Sequence, residues 1–191
     1  AAKEAGMQYV VLTAKHHDGF CLYDSAYTDF KSPNTPAGRD FVREYTEAAR
    51  EFGLRVGLYF SIIDWRHPDF PHFGDRQHPM RDNPAYGNEG RNFDRYLDYM
   101  HAQIRELCTN YGKLDLLWFD FAYDNLRGEA WRATELMDMV RSESGTASQV
   151  LEMAEQRIYA LRQGNAARGM SHISAVMNEV WESIKERQAQ G

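Results

Sequence analysis

Apolar positions along this chain keep two periods, and the period switches several times. Ala1–Gly6 reads as the end of a helix closed by Gly6. Tyr9–Ala14 (Tyr-Val-Val-Leu-Thr-Ala) is rich in β-branched residues and predicts a strand. Between Arg39 and Phe52 the apolar residues Val42, Tyr45, Ala49 and Phe52 recur at helical spacing, and Gly53 ends the run. Leu54–Ile62 returns to alternation. Val56, Leu58, Phe60 and Ile62 form one apolar side, while Arg55, Gly57, Tyr59 and Ser61 form a mixed side. A long stretch from Asp64 to Arg91 has no period and carries four prolines with His67, His72 and His78. Its histidines lack metal-ligand spacing and predict loop packing instead. About Asn92–Tyr111, the residues Phe93, Tyr96, Leu97, Met100, Ile104, Leu107 and Tyr111 share a helical stripe. Leu114–Asp120 is an apolar run of strand length, and Glu129–Arg141 is again helical.

Strand and helix therefore alternate three times, which predicts parallel βαβ units. The expected class is α/β, a partial (β/α)8 barrel of about three βα units. In such a barrel the apolar side of residues 54–62 packs on helices, and Tyr59 and Ser61 line the mouth. Ligands meet α/β proteins at the carboxyl ends of strands, so Asp120, closing the Leu114–Asp120 run, sits where a catalytic acid belongs. Trp118, two residues earlier, points to the same side. The plainer alternative for Asp120 is a cap on the following loop.

After Arg141 the next strand is due and does not come. Ser142–Ala147 is polar and turn-prone, and no strand pattern follows before Gly191. Thr146 and Gln149 have capping-box spacing ahead of an apolar stripe of Val150, Leu151, Ala154, Ile158 and Leu161. A turn at 164–169 leads to a second stripe of Ile173, Val176, Met177, Val180, Trp181 and Ile184. Residues 142–191 thus predict a helical hairpin, a domain separate from 1–141, its helices paired with each other rather than laid on the barrel part, and open to self-association through 147–187.

Composition narrows the class. At 191 residues, 43% hydrophobic and 13% aromatic, the chain is long and apolar enough to bury a core. A net charge of −6 gives no reason to expect a nucleic-acid partner. Two cysteines without a CxxC suit neither a disulfide scaffold nor a zinc site. No metal or cofactor is expected. No signal peptide or membrane-spanning run is present, and the start at Ala1 leaves a processed start, and with it localisation, open.

Three motifs carry a resemblance: Lys15-His16-His17-Asp18-Gly19-Phe20, Gly57-Leu58-Tyr59-Phe60-Ser61 and Leu117-Trp118-Phe119-Asp120. In order and spacing they resemble the α-L-fucosidases of glycoside hydrolase family 29, over about residues 1–141. The resemblance implies a (β/α)8-like barrel, a retaining mechanism and a fucosylated glycan or fucoside as substrate. It implies Asp120 as nucleophile, His16 and His17 on the fucose hydroxyls, and Tyr59 and Trp118 lining the sugar pocket. Many members have Gly after the nucleophile, where this chain has Phe121. Neutral imidazoles both donate and accept, which suits sugar hydroxyls. The plainer reading of His16 and His17 is a pair of satisfied polar residues at a strand end; the three matched motifs put sugar binding well ahead of it. The acid/base is not assigned; Asp124 and Glu129 are candidates by position only. With no acid/base, the chain as given is expected to turn over little or no fucoside. Residues 142–191, through Ala147–Glu152, Ala154–Tyr159 and Ile173–Val176, resemble the linker of a DnaB-type replicative helicase, without any GxxxxGK[ST]. The pair of resemblances predicts a fused or chimeric reading frame, with a non-enzymatic helical interaction module as the alternative function.

Overall fold

The computed structural model describes residues 1–71, 78–83, 86–120 and 126–143. All of them fall in one compact unit, Ala1–Ser148. Its elements are β1 (Tyr9–Lys15), α1 (Phe41–Glu51), β2 (Arg55–Ser61), α2 (Phe93–Asn110), β3 (Leu116–Asp120) and α3 (Ala133–Glu143). The strands form a parallel sheet in the order β1-β2-β3. The chain thus folds as mixed α/β with a small parallel sheet. The expected hairpin and its self-association lie outside the described residues, as do His72, Phe121 and Asp124; of the stretch 142–147, expected to be a turn, only Ser142 and Glu143 are described, and both belong to α3.

Local signals explain most boundaries. Asp40 begins α1 by accepting a hydrogen bond from the Arg43 amide (2.9 Å), and Asn92 does the same for the Arg95 amide at the head of α2 (3.2 Å). Two expectations shift. Ala1–Gly6 is a turn, with one helical hydrogen bond from the Ala5 amide to the Ala1 carbonyl (2.9 Å). The helix expected from Glu129 starts at Ala133, because Gly128–Trp131 is a 3-10 turn and Arg132 is left-handed (φ 50°). Arg132 is held there by Asp94 (2.9 Å) and Asp98 (2.6 Å) of α2. Glu129 accepts from the Thr134 amide and hydroxyl, so it serves the helix start.

The sheet has two unlike faces. Val56, Leu58 and Phe60 are fully buried on the helix side, with Tyr96, Met100, Ile104 and Leu107 of α2 in the same core. On the opposite side Tyr9 is 49% exposed and Trp118 55%. Gly57 lies between Val11 and Leu116 on that side, and a Cβ there would stand 2.8 Å from Val11 and 3.0 Å from the Val10 carbonyl oxygen. One irregularity matters for the site. Thr13 pairs with Tyr59 but Lys15 pairs with Phe60, so Ala14 is an extra residue, a β-bulge. Strict alternation would send Lys15 to the same side as Thr13. The bulge turns it to the helix side, where its ammonium lies 4.8 Å from the Phe60 ring and 5.2 Å from the Tyr99 ring.

Candidate active site

Three strand ends meet. Parallel pairing places Ser61 beside Asp120 and Tyr59 beside Trp118, while β1 runs on into His16 and His17. The Tyr59 hydroxyl donates to Asp120 Oδ2 at 2.6 Å. Burial and this carboxylate together push the Tyr59 phenol well above its ordinary pKa. Trp118 meets the Tyr59 ring edge-on, with centroids 5.6 Å apart. His16 stacks on Tyr59 on one side (5.8 Å) and on His17 on the other (4.0 Å). His17 is 7% exposed, and its Nδ1 lies 2.5 Å from Ser61 Oγ. All five residues singled out in the sequence (His16, His17, Tyr59, Trp118 and Asp120) therefore share one edge of the sheet, in a chain of direct contacts. His16, Tyr59 and Trp118 form its aromatic part and Asp120 its charge.

Beneath this row lies a support to which the sequence reading gave no role, although Lys15 and Gly19 stand in its first motif. Lys15, fully buried by the bulge, donates to Asp64 Oδ2 (3.0 Å) and to Gln103 Oε1 (3.0 Å). Asp64 is 2% exposed, and its other oxygen accepts from the Arg66 and His67 amides (3.0 Å each). Each charge of the buried pair is thus paired and further hydrogen-bonded, as such pairs require. Gly19, at φ 80°, lies directly against the Asp64 carboxylate. The loop after β1 is thereby fastened to the loop after β2. Trp65 completes the fastening: its amide donates to the His17 carbonyl (2.8 Å) and its ring meets the His17 ring edge-on at 5.1 Å. The one available signal was position, since Asp64 follows the end of β2 much as Asp120 closes β3.

Of the loop histidines, His67 and His78 are described, and both pack against aromatic rings. His67 lies against Tyr96 and Tyr99 (5.2 and 4.3 Å), and its Nδ1 accepts from the Asp69 amide. Burial lowers its pKa. His78 sits between Trp65 and Tyr86, with Nδ1 accepting from the Met80 amide. Among the described residues no group of three His, Cys, Asp or Glu could hold a metal ion, and no helix is long and apolar enough to cross a membrane.

A family model described as alpha-L-fucosidase matches residues 1–186. The chain belongs to the alpha-L-fucosidase family. Alpha-L-fucosidase 1 of Arabidopsis thaliana is 39% identical over 124 residues, 63% of this chain and 21% of that protein. Alpha-L-fucosidase isoenzyme 1 from Paenibacillus thiaminolyticus superposes with a TM-score of 0.73 at 62% identity, over 75% of this chain and 34% of that one. AlfC from Lactobacillus casei, solved with its alpha-L-fucose product, gives 0.63 at 32% identity, over 76% of this chain and 46% of that one. The chain thus spans about a fifth of the length of the plant fucosidase. Each of these three relatives is an alpha-L-fucosidase by name. The fucosidase family model runs across residue 142 into the tail, and nothing in these comparisons supports the helicase-linker resemblance or the interaction module drawn from it. That expectation rested on short stretches of helix-forming residues, which unrelated amphipathic helices share.

Proposed function

We propose that this rim is the fucose-binding and nucleophile side of a retaining α-L-fucosidase site, and that the three βα units are part of the wall of a (β/α)8 barrel. The uncovered face, with Tyr9 and Trp118, would be the barrel interior. The observation that carries the reading is the Tyr59–Asp120 hydrogen bond at the carboxyl ends of the strands, with the two histidines stacked beside it.

Tyr59 occupies Oδ2 of Asp120, which leaves Oδ1 to attack the anomeric carbon. In that step the Asp120–carbon bond forms, the glycosidic bond breaks, and the departing oxygen takes a proton from a separate acid. Water then releases fucose from the ester, with the same acid now acting as base. Retention requires that acid roughly 5–5.5 Å from the nucleophile, and no residue of this chain is assigned to it. His16 and His17 would hold sugar hydroxyls, and Trp118 would cover an apolar patch of the deoxy sugar. The chemistry needs no cofactor, and the substrate class is a fucosylated glycan or fucoside. With the sheet's inner face this open, we expect slow turnover by the chain as given.

Trapping tests the assignment without the acid. Fluoride departs without protonation, so 2-deoxy-2-fluoro-L-fucosyl fluoride should esterify the nucleophile and stall there. Peptide mass spectrometry should find the sugar on Asp120 and none in Asp120→Asn. An adduct on another residue, or none while the reagent binds, would remove Asp120 from the role. Rapid hydrolysis of an unactivated fucoside, lost in Asp120→Asn, would refute the expectation of slow turnover.

A further inference from the structure

Ser61 is fully buried, and three partners surround its one hydroxyl. The Ile63 amide donates to Oγ at 3.1 Å, and the Ile63 carbonyl lies 3.0 Å away. His17 Nδ1 is the third, at 2.5 Å. A serine hydroxyl has one proton to give and two lone pairs to receive with. The amide can only donate, so it fills one lone pair. The carbonyl can only accept, so it takes the proton. The remaining lone pair faces His17 Nδ1, and only a protonated nitrogen can satisfy it. The opposite arrangement, with Ser61 donating to Nδ1, strips the hydrogen from the carbonyl of a fully buried residue, and a buried acceptor left short is penalised heavily. His17 cannot readily turn to escape the choice. Its ring is stacked on His16 at 4.0 Å and meets Trp65 edge-on at 5.1 Å.

We infer that Ser61 is a positioning residue that sets the tautomer of His17, with the proton on Nδ1 and the lone pair on Nε2. In the neutral ring Nε2 is then an acceptor. This deepens the fucose-binding reading and rests on it for one consequence: the sugar hydroxyl over His17 must be a donor. Stereochemistry alone does not specify the group at that position; its proton does. A fluorine there has the size and the lone pairs but lacks the proton, and should be refused as firmly as a hydrogen atom.

The full chain labelled with 15N-histidine tests this directly. Among its seven histidines, the His17 signal is assigned by its loss in His17→Gln. Long-range 1H–15N correlation at neutral pH should show a protonated Nδ1 and an unprotonated Nε2. A proton on Nε2, alone or on both nitrogens, would overturn the inference in the unaltered protein, whatever any variant does. Ser61→Ala should move the proton toward Nε2 and weaken fucose binding about tenfold or more, while Ser61→Thr, which keeps the hydroxyl, should restore both. A folded Ser61→Ala that keeps the original tautomer would refute the role of Ser61. In a series of monodeoxy and monofluoro fucoses, one position should show equal losses for both replacements, and a fluoro sugar bound like fucose at every position would refute the acceptor role. If no fucose binds while Nδ1 carries the proton, the fucose reading falls and the tautomer assignment stands.

Discussion

Gly19→Ala is the substitution whose effect the structure determines most sharply. Gly19 has φ 80°, a region in which an L side chain is strained by about 1–2 kcal/mol. Its new Cβ would also meet the Asp64 carboxylate, at 2.9 Å from both Cγ and Oδ2. A flexible acid could step aside, but Asp64 is fastened at both oxygens, to Lys15 and to two backbone amides. Moving it strands the fully buried Lys15 ammonium, and breaking a buried pair from one side costs about 3–5 kcal/mol. Partial relaxation should leave a total of about 3–5 kcal/mol. Gly90 is the control, with φ 75° and nothing within 4 Å of the added carbon. Gly90→Ala should lose only the conformational part, about 1–2 kcal/mol. Urea unfolding followed by tryptophan fluorescence measures both, with equal slopes required for the comparison. The reasoning predicts a gap of about 1–4 kcal/mol between the variants. A gap below about 0.5 kcal/mol would show that Asp64 is free to move and that the buried pair does not fasten the two loops.

Two further outcomes follow from the geometry. Tyr59→Phe removes a hydrogen bond to a charged group, about 1.5–3 kcal/mol, so trapping at Asp120 should slow by about one to two orders of magnitude; an unchanged rate would remove Tyr59 from the reaction. Burial pushes the Cys21 thiol up from 9.0 to about 11 and the Cys108 thiol to about 12. The folded state holds these protons more tightly than the unfolded one, so their contribution is complete below pH 9 and is lost as pH rises through that window. Stability should fall with a slope steeper in wild type than in Cys21→Ala, and an identical slope would contradict it.

Legibility differed by the kind of signal. The elements around Val42, Leu58 and Met100 were readable because burial on one side imposes a period. His16, His17, Tyr59, Trp118 and Asp120 were readable as a group because parallel strands bring their carboxyl ends together. Lys15 was not. Alternation assigns it to the open face, and only the extra residue at Ala14 reverses that; a bulge without glycine leaves no mark in composition. Ser61 was placed at the mouth, but its partnership with His17 needs the ring's orientation, which spacing does not contain. Arg132 likewise adopts a left-handed backbone that its residue type disfavours, held by two carboxylates from α2, so the start of α3 was misread.

The two hydrogen bonds that knit the rim, His17 to Ser61 and Tyr59 to Asp120, span 44 and 61 residues of chain. Neither can form within a single βα unit, so no early, locally folded piece of this protein holds even a weak version of the rim. Loop closure on that scale must come before the contacts that reward it, which places rim assembly among the late and slow events of folding. Any molecule that binds there engages all three strands at once. It should therefore act on the sheet as a clamp, raising the free energy of the whole unit's opening by RT ln(1 + L/Kd), where L is the free ligand concentration. For a chain like this one, occupancy by a sugar would be a direct readout of how much of the population is folded.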